Sequence, residues 1–278
     1  MFRNIPFLLV ALLVTQLTLA QKKEKIKGSK IVTVAVKEIN TFENIEVNDN
    51  FEVFLVKSDS HSLEIEADDN LHDIINFEVS GNTLRVTALK TPSSFKKFAV
   101  RINYSDSLKL ITARNEAQIK ALADLKLEKI TIKNYDYSKS FLNVRSDYFA
   151  LVLDDKSEAE INVKASSVTL ELSKNAELKA LIDAPEAKID LYQKSKATIE
   201  GSSETVKMRL DNNANLIAPK YKIKELDLTA EHYVKCKVHV LKEITIEASG
   251  KSEIELVGDA KINLNKFINN AILSKKEK

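Results

Sequence analysis

The 278 residues carry 42 Lys and Arg against 40 Asp and Glu, a net charge of +2, so the one-sided basic excess of a nucleic-acid binder is missing. Hydrophobic residues make up 44% of the chain while aromatics are only 6% and Trp is absent, a balance that suits a sheet-built core better than an aromatic-lined pocket. One cysteine, Cys236, excludes an intramolecular disulfide and a four-cysteine metal site, and its alternation with Val234 and Val238 reads as core.

Arg3 is the only charge in the first twenty-one residues, and an apolar run from Phe7 leads to Thr18 and Ala20. A basic start, a short apolar stretch and small residues before a cut predict a secretory signal peptide over 1–20, cleaved at Ala20/Gln21. The run is short for a membrane span, which needs about 20 residues, and no later segment is apolar enough to cross a bilayer. Gln21 stands where a lipoprotein would carry its lipidated cysteine. The expected product is therefore exported, not a lipoprotein, and located in the periplasm, on the outer surface or in the medium.

Residues 21–30, QKKEKIKGSK, form a basic leader with no apolar rhythm, expected to be unstructured. Alternating runs follow at Ile31–Val36, Phe42–Val47, Phe51–Val56, Leu63–Ala67, Leu84–Ala88 and Phe98–Tyr104, and each predicts a strand. Between them, residues 69–75 predict one short helix with Asp68 or Asp69 as its N-cap, and Gly81-Asn82 predicts a tight turn. Residues 31–106 thus read as irregular opening coils.

From Leu108 onward one phrase returns: an alternating apolar pair, a polar turn, and another alternating pair, as in LITARNEAQI (110–119), LVLDDKSEAEI (151–161), LELSKNAEL (170–178) and IDLYQKSKATI (189–199). The apolar anchors after the turns are Ile119, Phe141, Ile161, Leu178, Ile199, Leu216, Cys236 and Ile254, about 19 residues apart on average. Alternation places every second side chain on one face of a strand, and a unit of two short strands can bury that face only by stacking on its own copy. Glu171, Lys179, Lys188, Asp190 and Glu253 take the outward positions. The prediction is an all-β, single-chain parallel β-helix over 31–266, with about 19 residues per coil. An antiparallel sandwich or barrel is the competing architecture. It is disfavoured by the sustained period and by the absence of any Asn-Gly or Asp-Gly hairpin dipeptide. Residues 267–278 are expected to close the stack with Phe267, Ile268, Ile272 and Leu273, then trail off as a KKEK tail.

Beyond this reading, residues 42–88 with the repeats after them resemble the head GIN domain family of putative autotransporter adhesins, found largely in Bacteroidetes-type bacteria. The features that match are Phe42, Ile45 and Val47, the Phe51–Val56 strand, Asn70-Leu71, and Gly81-Asn82-Thr83-Leu84, with resemblance over roughly 40–265. The resemblance implies a right-handed, pectin-lyase-like β-helix, a role in adhesion, and no established catalytic residues. The family's Gly-Ser-Gly turns are replaced here by sequences such as Lys156-Ser157-Glu158, Lys174-Asn175-Ala176 and Asn212-Asn213-Ala214, which marks a divergent member.

β-helices also carry glycan lyases and hydrolases, and this is the alternative function. Such chemistry needs clustered carboxylates and a base, and the best candidates are Asp154, Asp155, Asp190 and Asp211, with Lys156 and Lys194 beside them. A solvated turn face of mixed charge accounts for them as well. His61, His72, His232 and His239 show no ligand spacing and read as surface or turn residues. No catalytic residue, cofactor or metal is expected. For binding, Tyr135, Tyr137, Tyr192 and Tyr233 fall in turns, where ring faces can stack on sugars and hydroxyls can bond them. The expected function is non-catalytic: an exported envelope or surface adhesin that holds a glycan or an extracellular or envelope protein on the β-helix face.

Overall fold

The computed structural model describes residues 23–276, so the predicted signal peptide, the first two residues of the leader and the last two of the tail lie outside the described residues. Strands make up 67% of the structure and helix 2%, arranged as a β-solenoid of about nine turns with roughly 19 residues per coil. Each coil has two straight sides, and the stacked sides form two long sheets, here called A and B. Long strands such as Lys139–Leu153, Glu158–Leu172 and Lys196–Leu210 bend at mid-length and serve both sheets. Sheet A stacks residues 139–145, 158–164, 177–183 and 196–202 in parallel register, with Leu142, Ile161, Ala180 and Ile199 superposed.

The interior is made of ladders. In sheet B one column runs Leu84, Ile45, Ile111, Ile132, Leu151, Leu170, Ile189, Met208, Leu228, Ile246 and Leu264, all but the last buried. Each buried side chain contributes about 1.5–3 kcal/mol before ordering costs. Cys236 lies in the matching column of sheet A between Leu216 and Ile254, and burial pushes its thiol up to about 12.

The opening third departs from regular order. Strand Leu110–Ala113 stacks on Asn44–Val47, whose other edge is taken by Thr83–Ala88. The chain therefore builds one coil, drops below it to lay a second, and returns above the first to begin the regular stack. Antiparallel strands finish that lower end: Ser62–Asp68 and Val32–Glu38 in sheet A, Ile75–Ser80 in sheet B. The predicted helix is a 3₁₀ segment, Asp69–Ile74, which buries Leu71 and Ile74 across the end of the core.

Two terminal expectations need correction. The leader is ordered from residue 23: strand Lys25–Lys27 pairs with Thr91–Ser93, and Lys23 is held by Asp49. The anchor is Asp68, which does not cap the helix. Its buried carboxylate accepts hydrogen bonds from the backbone N–H groups of Lys30 (2.8 Å), Lys96 (3.0 Å) and Lys97 (3.0 Å), tying the leader to the 94–97 loop. At the other end, Lys261–Phe267 and Ile272–Lys276 continue both sheets as a last coil; of the four expected closing residues Phe267 and Leu273 pack partly buried against the core, whereas Ile268 and Ile272 are exposed, as are Ile262 and Leu264.

Candidate binding face

Polar turns join sheet B to sheet A along one ridge. In each of the pairs Asn115/Glu116, Asp136/Tyr137, Asp155/Lys156, Lys174/Asn175, Gln193/Lys194 and Asn212/Asn213, both residues have positive φ. A bond from the residue after each pair closes the turn, as Ser195 N to Tyr192 O at 3.0 Å and Ala176 N to Ser173 O at 3.1 Å. Two successive left-handed residues with this closure are the signature of a type I′ turn. The turns also bond to one another between coils, Lys194 N to Asn212 O at 2.9 Å for example. The closing position is small in all six of these turns, Ala117, Ser138, Ser157, Ala176, Ser195 and Ala214, all buried; in the next coil Val234 takes it.

All four sequence-predicted tyrosines sit on this ridge, yet they do not form a stripe. Tyr135 and Tyr192 share one turn position three coils apart, about 14 Å at 4.8 Å per coil. Tyr137 and Tyr233 share another, five coils apart. Each ring lies beside a cation: Arg114 is 4.1 Å from the Tyr135 centroid, Lys156 4.9 Å from Tyr137, Arg209 5.9 Å from Tyr192, and Lys251 5.3 Å from Tyr233. Lys156 Nζ also donates to the Tyr137 hydroxyl at 2.7 Å.

Nor does the structure assemble the aspartates. Asp154 and Asp211 occupy equivalent turns three coils apart, and each is satisfied locally. Asp154 accepts from Ser173 Oγ at 2.6 Å and Lys174 Nζ at 2.8 Å; burial raises its pKa, but these partners outweigh it and hold it below the ordinary value. Asp211 pairs with His232, and Asp190 with Lys188 at 2.8 Å in the strand before the turn. Asp155 occupies the first left-handed position, and Lys194 lies two coils from Lys156. Among the described residues no group of three His, Cys, Asp or Glu could hold a metal ion. His239 departs from its expected surface position: it is buried, and among the described residues its Nε2 has no hydrogen-bond partner.

Five surface grooves open instead on the outer face of sheet A or along its edges. One, about 550 Å³, crosses four consecutive coils and is lined by Phe141, Asn143, Glu160, Asn162, Lys179, Leu181, Thr198 and Glu200. A second, about 560 Å³, places Phe95 and Tyr137 with Asn50, Gln118 and Lys96 where the 94–97 loop meets the ridge. The first contains the residue that the repeat reading misassigned. Phe141 is an outward residue, 37% exposed, and Ser140 takes the inward position, bonded to buried Asn134 at 2.9 Å. The alternation of Leu142 and Val144 already implied this phase. Leu122, Leu181 and Ile217 are further exposed apolar residues of the same face.

Residues 41–260 match the family model described as putative auto-transporter adhesin, head GIN domain. No curated protein matches the chain. Among solved structures, a putative adhesin from Parabacteroides merdae ATCC 43184 has TM-score 0.64 at 19% identity, covering 91% of this chain and 99% of its own. A putative adhesin from Parabacteroides distasonis ATCC 8503 has TM-score 0.65 at 17% identity, covering 91% of this chain and 100% of its own. A putative lipid binding protein from the same organism has TM-score 0.59 at 15% identity, with the same coverage of both chains. At these identities the likeness is one of fold.

Proposed function

Because the chain belongs to the head GIN domain family of putative auto-transporter adhesins, we propose that it is a non-catalytic, exported adhesive protein whose partner, a glycan or an extracellular or envelope protein, seats on the outer face of sheet A. The observation that carries this reading is the set of grooves on sheet A together with the exposed Phe141, Leu181 and Ile217 of that face. The middle of the outer face of sheet B is by contrast a row of Thr169, Lys188, Lys207, Asp227 and Thr245, polar throughout. A face built from stacked parallel strands is preorganised, so a partner does not have to meet the cost of ordering loops. Export is supported by the basic and apolar opening of residues 1–20. Among the described residues no helix is long and apolar enough to cross a membrane.

The deciding experiment is binding of the purified chain to arrays of glycans and extracellular-matrix proteins, with release of reducing sugar followed in parallel. Saturable binding without release, reduced by substitutions at Leu181 or Tyr137, is the expected result. Calcium-dependent sugar release would overturn the non-catalytic reading and return attention to Asp154, Asp155, Asp190 and Asp211.

A further inference from the structure

The groove across residues 141–200 has a chemistry narrower than adhesion in general. Its charges cancel within the protein: Lys179 Nζ donates to Glu160 Oε1 at 2.7 Å, and Lys220 Nζ to Glu200 Oε1 at 3.1 Å. What remains for a ligand is uncharged. Asn143 and Asn162 lie side by side in register on neighbouring strands, and among the described residues neither amide has a hydrogen-bond partner. Each offers two N–H donors and a carbonyl acceptor toward solvent. One register step toward the turn ridge, Phe141 presents an exposed ring in the outward column that runs Arg101, Phe54, Lys120 and Phe141. Leu181 follows Asn162 in the asparagine column.

A lipid tail would need a continuous apolar floor, but here Asn143, Asn162 and the Glu160–Lys179 pair break it up. An acidic polysaccharide would need unpaired cations, and Lys179 and Lys220 are both engaged. A peptide strand recognised by its backbone would need a free sheet edge, and these residues lie on strands paired on both sides. A ring with one apolar face and a rim of hydroxyls meets all three conditions. We infer that this groove is a carbohydrate site for an uncharged oligosaccharide, with a pyranose face stacked on Phe141 and its hydroxyls bonded by the Asn143 and Asn162 amides. The inference rests on the adhesive reading and specifies its ligand. The groove's volume falls within the usual 300–1,000 Å³ of small-ligand sites, and its run along the stack suits a linear chain of sugars.

The test is calorimetric titration of the purified full chain with neutral cello-, xylo- and chito-oligosaccharides, in low and in high salt, beside an array carrying acidic glycans and matrix proteins. Binding of at least one neutral series, little changed by salt, is expected. Phe141→Ala and Asn143→Ala/Asn162→Ala should each weaken it about tenfold, Phe141→Tyr should keep it, and Lys207→Ala, on the outer face of sheet B, should leave it unchanged. Circular dichroism establishes that each variant is folded. Neutral-sugar binding that ignores Phe141, or binding confined to acidic glycans and abolished by salt, overturns the site. Binding to matrix proteins alone overturns this inference while leaving the adhesive reading standing. Silence against every probe removes both.

Discussion

Asp68 illustrates how much one side chain can organise. It is fully buried, and burial raises its pKa; the backbone N–H groups of Lys97, Lys30 and Lys96 outweigh that effect and hold it below the ordinary 3.8. A depressed folded pKa means stabilisation that is present above the unfolded value and lost as pH falls through the folded one. Asp68→Ala should cost about 3 kcal/mol in chemical denaturation, since three buried donors lose a charged acceptor. Amide exchange at Lys30, Lys96 and Lys97 should quicken, and the fall in stability below about pH 3.8 should be shallower in the variant by Asp68's share, the part due to Asp154 and Glu52 remaining. Exchange at those amides unchanged from wild type would remove Asp68 as the anchor. The sequence placed Asp68 beside a helix start but could not reveal this role, because its partners lie 28, 29 and 38 residues away. Phe141 was open to a closer reading. Its neighbours Leu142 and Val144 set the inward phase, and an aromatic on the opposite phase is visible in the sequence once that phase is kept. The groove beside it was not legible, since concavity depends on sheet twist and on which side chains of four successive coils stand next to one another.

At the scale of elements, the turn ridge decides the repeat. In the sequence, the missing Asn-Gly and Asp-Gly pairs count against an antiparallel sandwich or barrel. The fold inference held, yet the coils do use paired left-handed residues, filled by Asn, Asp, Lys, Gln and Tyr and linking two sheets of one coil rather than neighbouring strands. A non-glycine residue at positive φ costs about 1–2 kcal/mol, whereas glycine loses roughly 0.5–1 kcal/mol through extra freedom in the unfolded chain. Gln193→Gly combined with Lys194→Gly (φ 50° and 65°) should therefore raise stability by about 1 kcal/mol. Thr169→Gly, in an extended strand, should lower it by a similar amount. Equal loss in both variants would mean that the turn side chains contribute more than their strain. The buried closing position gives a second case. Ser195 Oγ has no hydrogen-bond partner among the described residues, so Ser195→Ala should be neutral or slightly stabilising by the denaturation midpoint. Leu at the same position should be disruptive, since the next coil's turn is bonded directly above it.

The whole molecule is close to one-dimensional, each coil touching only its neighbours. This explains a composition rich in charge but nearly neutral. Lys139–Glu158, Glu160–Lys179 and Glu177–Lys196 join residues 19 apart, so opposite charges meet between coils as well as within them. Exposed pairs of this kind are worth about 0–1 kcal/mol each, and they favour the correct register more than they strengthen it. Stability comes from the interior ladders, and it should depend on position along the stack. Leu170 is wholly buried with a ladder neighbour on each side, Leu151 and Ile189. Leu264 ends the same ladder and is 52% exposed. Leu170→Ala should cost about 2–5 kcal/mol in urea denaturation, the range for a buried leucine leaving a cavity. Leu264→Ala should cost less than about 1 kcal/mol, because little buried area is lost and, among the described residues, no rung follows it in this ladder. The groove at residues 141–200 lies within the well-buried part of the stack, whose strands are paired on both edges. Leu264→Ala should therefore leave partner binding intact even where it loosens the final coil, whereas Leu170→Ala should weaken stability and binding together. Similar costs at the two positions would show that the last coil is covered in solution, and that the stack does not end where the chain's own strands end.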